Sequence, residues 1–208
     1  MRKWVLAGIA MAVLLTGWHP VPKEPEGMAL VRVLGVDGPG PVTLTAVCGG
    51  EDQEGNQSRG QCTGADFEEA LSAVRWSGGE ELSVTSVTWL VIGREVELEN
   101  VLLAALRNEE LGASATVWLA EGGAAELLGS CADPASALEL LERQGIKAPT
   151  VVEALAALYQ GNELCLPLLT EKGGEAVSEG AWTVARASAG PRSGPQTSPS
   201  RRESDRAP

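Results

Sequence analysis

Residues 82–92 (LSVTSVTWLVI) constrain the fold more than any other stretch of the chain. The stretch is rich in Val, Thr and Trp, which favour strands, and its second half is apolar on both faces. A strand of this kind is typical of the centre of a sheet whose two faces are both covered. We therefore expect residues 82–92 to form a central strand.

Other short apolar runs alternate with helical patterns along the chain. Residues 29–36 and 41–48 lie on either side of a DGPG turn, which predicts a β-hairpin. Residues 49–64 are polar and Gly-rich, which predicts a loop. The predicted fold class is α/β: a mixed sheet of about five or six strands, starting with the β-hairpin and packed by four or five helices.

Three of the predicted helices have clear start signals. Asp66, Asp133 and Thr150 stand at N-cap positions, with Glu69 and Glu153 completing capping boxes after the first and third. The expected buried stripes are Phe67, Ala70, Leu71 and Val74 on the first helix, and Val152, Leu155, Ala156 and Tyr159 on the third.

The N-terminus is typical of an export signal. Arg2 and Lys3 precede an uncharged run at residues 4–18, which is too short to span a bilayer but suits a signal peptide. Leu15, Thr16 and Gly17 form a lipobox-like segment: they match the residues that precede the lipidated Cys of a bacterial lipoprotein. Trp18 stands in place of that Cys and has no thiol to lipidate.

We divide the chain into four parts. We expect residues 1–18 to be a lipoprotein-like signal peptide, residues 19–27 a Pro-rich tether, residues 28–185 the folded domain, and residues 186–208 a disordered basic tail. The formal net charge of the chain is −12, but residues 19–185 alone carry 9 Lys+Arg against 26 acids. This acidity argues against nucleic acid as a partner.

Chemistry-bearing motifs are absent from the sequence. There is no phosphate-binding glycine loop, no HExxH and no GxSxG, and His19 is the single histidine. We therefore predict no catalytic residues, no cofactor and no metal site. The paired acids at residues 80–81 and 109–110 are expected at the surface. Trp89 and Trp118 are expected in the core, and Trp76 is the tryptophan expected to be exposed.

The four cysteines leave two interpretations open. Cys48 and Cys62 flank the predicted loop and are the candidate disulfide pair. The alternative is that all four cysteines, including Cys131 and Cys165, are thiols.

An ordered set of segments gives a family resemblance. It consists of ALVRVLGVDG (29–38), PVTLTAV (41–47), FEEALSAV (67–74), VTWLVIGREV (87–96), ATVWLAEGGAAELL (115–128), TVVEALAAL (150–158) and LCLPLL (164–169). In order and spacing, they resemble the N-terminal domain of the spore germination Ger(x)C family, the C subunits of germinant receptors.

This resemblance implies a non-enzymatic, membrane-associated subunit on the outer face of the inner spore membrane. Its partners would be the integral-membrane A- and B-type subunits of the receptor. Members of the family have three domains, of which this chain matches the first, and Trp18 puts lipid anchoring in doubt. The alternative function is an exported ligand-binding or protein-interaction module unrelated to germination. The third hypothesis is that the protein is an exported enzyme whose catalysis relies on carboxylates.

We predict that added salt raises the melting temperature of this protein. The excess of acids in residues 19–185 makes the folded domain repel itself, and salt screens that repulsion. Thermal unfolding followed by circular dichroism at low and high sodium chloride measures the effect. A melting temperature that stays constant or falls as sodium chloride is added would contradict this prediction.

Overall fold

The computed structural model describes residues 28–51, 57–76 and 81–184. The strands within these residues are β1 (Met28–Asp37), β2 (Val42–Glu51), β3 (Gln57–Gly64), β4 (Glu81–Ser83), β5 (Trp89–Ile92), β6 (Thr116–Ala120), β7 (Leu164–Lys172) and β8 (Glu175–Val184). The helices are α1 (Phe67–Val74), α2 (Leu98–Arg107), α3 (Ala124–Ser130), α4 (Pro134–Arg143) and α5 (Val151–Gln160). The described part of the chain is therefore α/β, as the sequence predicts.

All eight strands belong to one mixed sheet in the order β3-β2-β1-β5-β6-β7-β8, with β4 paired to the start of β1. Strands β1, β5, β6 and β7 are parallel and form the centre of the sheet. Antiparallel pairing adds β2 and β3 on one side and β8 on the other. The expected hairpin of β1 and β2 is confirmed.

The sheet has eight strands rather than the expected five or six, for two reasons. Residues 57–64, expected within a loop, pair with β2 as an edge strand, where Leu44 lies opposite Cys62. An edge strand of this kind tolerates the polar side chains that made the segment resemble a loop. The predicted strand at residues 82–92 is divided, because a turn in which Val87 donates to the carbonyl of Val84 separates β4 from β5.

Both faces of the sheet are covered. One apolar cluster joins the sheet to α1, α2 and α5, and a second joins it to α3 and α4. All four residues of β5 are buried, which confirms the expectation of a central strand covered on both sides. The arrangement has three layers: helices, sheet and helices.

The helices start at the predicted caps, but the predicted capping box of Asp66 and Glu69 is not formed, because Glu69 Oε2 accepts the amide of Ala65 at 2.7 Å rather than that of Asp66. Asp66 accepts the amide of Glu69 at 2.8 Å, Asp133 accepts the amide of Ser136 at 2.9 Å, and Thr150 with Glu153 forms the complete capping box. The hydrogen bonds from Thr150 lower the pKa of the Glu153 carboxyl.

The predicted stripe of α5 is wrong by one position. Val152 and Tyr159 are exposed, whereas Val151, Ala154, Leu155 and Leu158 are buried. The two stripes are almost equally apolar, so hydrophobic periodicity alone does not distinguish them. On α1 the predicted stripe of Phe67, Ala70, Leu71 and Val74 is confirmed.

Several predictions fall outside the described residues. These are the signal peptide at residues 1–18 with Leu15, Thr16, Gly17 and Trp18, the tether at residues 19–27, and the tail at residues 186–208. Among the described residues, no helix has the length and apolar character needed to cross a membrane.

The close approach of α3 to the sheet gives a testable prediction. A Cβ on Gly35 of β1 would lie 2.7 Å from Leu128 Cδ1 and 3.3 Å from Ala124 Cβ. We expect Gly35→Val to lower the free energy of unfolding by about 1–3 kcal/mol, because it pushes α3 off the sheet.

The matched control is Gly129→Ala within α3, where an added Cβ meets nothing within 4 Å. There the better helix propensity of Ala should leave stability unchanged or raise it by up to about 1 kcal/mol. Urea unfolding measures both variants. Wild-type stability of Gly35→Val would show that the α3 contact is not tight.

Candidate functional site

Three of the segments that carry the family resemblance meet at the carboxyl edge of the parallel strands. β1 ends at Asp37, β5 is followed by Gly93, and β6 is followed by the Gly122-Gly123 pair that leads into α3. The carboxyl edge is where α/β proteins usually place functional groups, so its chemistry decides what this domain can do.

The Asp37 carboxylate is bound to the start of α3. Its Oδ1 accepts the amide of Ala124 and its Oδ2 accepts the amide of Ala125, each at 2.6 Å. The N-cap residue of α3 is Gly123, which has no side chain to cap the helix. Asp37 therefore supplies, from 87 residues away in the sequence, the cap that α3 lacks.

Gly93 leaves the space that Asp37 occupies. A Cβ at position 93 would lie 2.1 Å from Asp37 Oδ1, and the Gly93 amide donates to the carbonyl of Val36 at 2.8 Å. Any larger residue at this position would displace the carboxylate from the amides of α3.

Arg59 of β3 holds the other end of α3. Its guanidinium donates to the carbonyls of Gly129 at 2.9 Å and Ala132 at 3.2 Å, and also to that of Cys131. The last carbonyls of a helix lack partners within it and carry partial negative charge. A carboxylate at the start and a guanidinium at the end thus match both ends of the α3 dipole.

A cavity of about 330 Å³ lies beside α3 at the same edge. Glu121, Glu126 and Glu171 line it together with Thr170, whose hydroxyl is buried without a hydrogen-bond partner. Within the residues that the structure describes, no group of three or more His, Cys, Asp or Glu side chains is placed to hold a metal ion.

The candidate disulfide between Cys48 and Cys62 is not formed. Cys62 lies opposite Leu44, four residues along β2 from Cys48. This offset separates the two cysteines by about 13 Å at the usual rise of a strand, whereas a disulfide needs Cα atoms within about 7 Å. The strand β3, which the sequence did not predict, is the reason: it fixes a register that keeps the two cysteines apart.

Burial raises the pKa of the Cys131 thiol above its ordinary value, and Cys165 is exposed. The Cys131 side chain therefore stays protonated at neutral pH, since desolvation disfavours the thiolate.

The tryptophans lie as expected. Trp89 and Trp118 are buried, and Trp76 is 69% exposed. Trp182 of β8 is partly exposed, with the Arg94 guanidinium 5.9 Å from its ring centroid, a cation–π contact.

The acid-pair residues that the structure describes lie at the surface. Glu81 and Glu109 are exposed, and Glu110 forms an ion pair with Arg75. Glu80 lies outside the described residues.

Sequence reasoning missed the roles of Asp37 and Arg59. Asp37 was assigned only to a turn, and Arg59 only to a loop. The sequence contains one indirect sign of a distant cap. A helix that starts after Gly122-Gly123 has no capping side chain of its own, so another part of the chain must supply the acceptor.

We predict that Asp37→Ala lowers the free energy of unfolding by about 1–2 kcal/mol, because two amides of α3 lose their acceptor. Arg59→Gln should also destabilise the protein. Since both residues hold the same helix, the double variant should lose less than the sum of the single losses.

Urea unfolding of the four proteins tests this coupling, and Glu121→Ala, an exposed acid at the same edge, is the control expected to match wild type. Strict additivity of the two losses would show that Asp37 and Arg59 do not act through a common helix.

No family model, no curated protein and no solved structure matches this chain.

Proposed function

We propose that this protein is a non-enzymatic subunit of a spore germinant receptor, with a structural and binding role in spore germination. The observation that carries the proposal is the joining of three resemblance-bearing segments at the carboxyl edge. Residues 29–38, 87–96 and 115–128 meet there through Asp37, Gly93 and the start of α3.

The chemistry of this edge supports a scaffold. An enzyme that used Asp37 as acid, base or nucleophile would need a carboxylate oxygen that can reach a substrate. Here each oxygen accepts a backbone amide of α3, which fixes the carboxylate at the start of that helix. Asp37, which lies in the resemblance-bearing segment at residues 29–38, thus has a structural role in holding α3.

The proposed partners are the integral-membrane A- and B-type subunits, at the outer face of the inner spore membrane. The apolar run at residues 4–18 supports export and membrane association. Nucleic acid is not proposed as a partner, because the chain has 28 Asp+Glu against 16 Lys+Arg.

A second candidate function is an exported ligand-binding or protein-interaction module unrelated to germination. The exposure of large apolar side chains such as Trp76 and Leu140 favours it, because such side chains are enriched where proteins bind partners.

We predict that the tagged chain, expressed in spores of its source bacterium, co-purifies from detergent-solubilised inner membrane with A- and B-type subunits. Deletion of the gene should slow germination in response to at least one germinant mixture. The readouts are mass spectrometry of the purified complex and the loss of spore refractility with time.

Position 18 offers a matched pair of variants. Trp18→Cys restores the thiol of a lipobox and should increase the membrane-bound share of the protein, whereas Trp18→Ser should not. Absence of both receptor subunits from the purified material, together with normal germination of the deletion strain, would overturn the receptor proposal and leave the second candidate.

A further inference from the structure

A groove of about 430 Å³ runs between α4 and the start of β8. Ala137, Leu140 and Leu141 line it from the helix, and Ala176, Val177 and Ser178 line it from the strand. Leu141 and Ala176 are buried at its base, whereas Leu140 is 53% exposed. The groove thus has an apolar floor and an apolar wall that faces water.

The strand beside this groove is the last strand of the sheet. β8 has ten residues, pairs with β7 on one side, and has no strand on its other side in the described part of the chain. It contains neither Lys nor Pro, two of the residues with which proteins protect an edge strand from further pairing. The register of β8 shifts between Ser178 and Ala181, where Gly180 has a φ of 121°, so the regular part of the edge is Glu175–Ser178, beside the groove.

An edge strand beside a helix-lined groove suits one mode of recognition. An extended peptide pairs with the strand through its backbone, and its alternate side chains enter the groove. The backbone hydrogen bonds supply affinity and the groove supplies specificity. We propose that an extended segment of a partner protein adds to the outer edge of β8 and places an apolar side chain against Leu140.

The charges around the groove specify the partner further. The charged residues that line it are acids, Asp133 beside α4 and Glu175 at the start of β8. Because Ala176 is buried on the α4 side and neighbouring strand residues alternate, the Glu175 side chain points to the other face of the sheet. Lys or Arg next to the apolar residues of an incoming segment would point to that same face and place opposite charge beside Glu175. We therefore assign the occupant as a segment that alternates apolar and basic residues.

The chain's own C-terminal residues suit this edge poorly. Pro191, Pro195 and Pro199 recur at every fourth position after β8, and each lacks the amide that pairing in a sheet requires. A second copy of the domain is also unfavourable, because pairing β8 with itself would bring a second Glu175 to the same edge, whereas Glu179 forms an ion pair with Lys172 of its own chain.

This surface goes beyond the proposed receptor role and does not depend on it. The inference rests on the edge strand, the groove and their charges, so it holds for either candidate function.

The test uses the full-length chain and a short fluorescent peptide of alternating valine and lysine with blocked ends. Fluorescence anisotropy should show saturable binding at physiological salt. The same peptide with N-methylated backbone amides should bind at least about tenfold more weakly, because it cannot form the strand hydrogen bonds. Equal binding of the two peptides would overturn the proposal in favour of simple charge attraction.

Leu140→Asn tests the groove, and Val152→Asn is its matched control. Both residues are aliphatic, helical and about half exposed, but Val152 lies on α5 away from the groove. We expect Leu140→Asn to weaken peptide binding at least about tenfold and Val152→Asn to leave it unchanged. Equal effects of the two substitutions would place the peptide elsewhere and overturn the assignment.

The same experiment also detects the other possible occupants of the β8 edge, which are the chain's own C-terminal residues and a second copy of the domain. Tighter peptide binding after removal of residues 185–208 would show that the chain's own end competes for β8. Loss of peptide binding as the protein concentration rises, with a dimer in size-exclusion chromatography, would show a second copy at this edge. Either result would overturn the assignment of a partner segment.

Discussion

The short helix α3 depends on two charged side chains that come from strands far away in the sequence. Asp37 of β1 accepts the first amides of the helix, and Arg59 of β3 donates to the carbonyls at its end. A helix of seven residues is too short to be stable alone. Its two end contacts and its packing on Gly35 therefore join the antiparallel side of the sheet to the parallel centre.

The local parts of the fold could be predicted because their causes are local. Asp133 with Pro134 marks the start of α4, and the capping box of Thr150 with Glu153 marks the start of α5. The central position of β5 follows from its being apolar on both faces. Each of these signals is complete within about ten residues of sequence.

The parts that were missed depend on partners distant in sequence. Residues 57–64 form a strand because β2 offers them an edge, and that register also prevents the candidate disulfide between Cys48 and Cys62. The buried side of α5 is chosen by the sheet beneath it, since Val152 and Val151 are equally apolar candidates. The groove lies between α4 and β8, two elements separated by the whole of α5 and β7.

Because α3 is held by residues distant in sequence, the order in which the chain is made affects how it can fold. β1 and β3 emerge first, and α3 follows only after α1, β4, β5, α2 and β6. Until then, Asp37 and Arg59 have no helix to bind, so the N-terminal strands lack the contact with α3, although β1 can pair with β5 as soon as β5 is made. We expect α3 to dock late, which makes any chain that ends before Ala132 a poor folding unit despite its complete N-terminal hairpins.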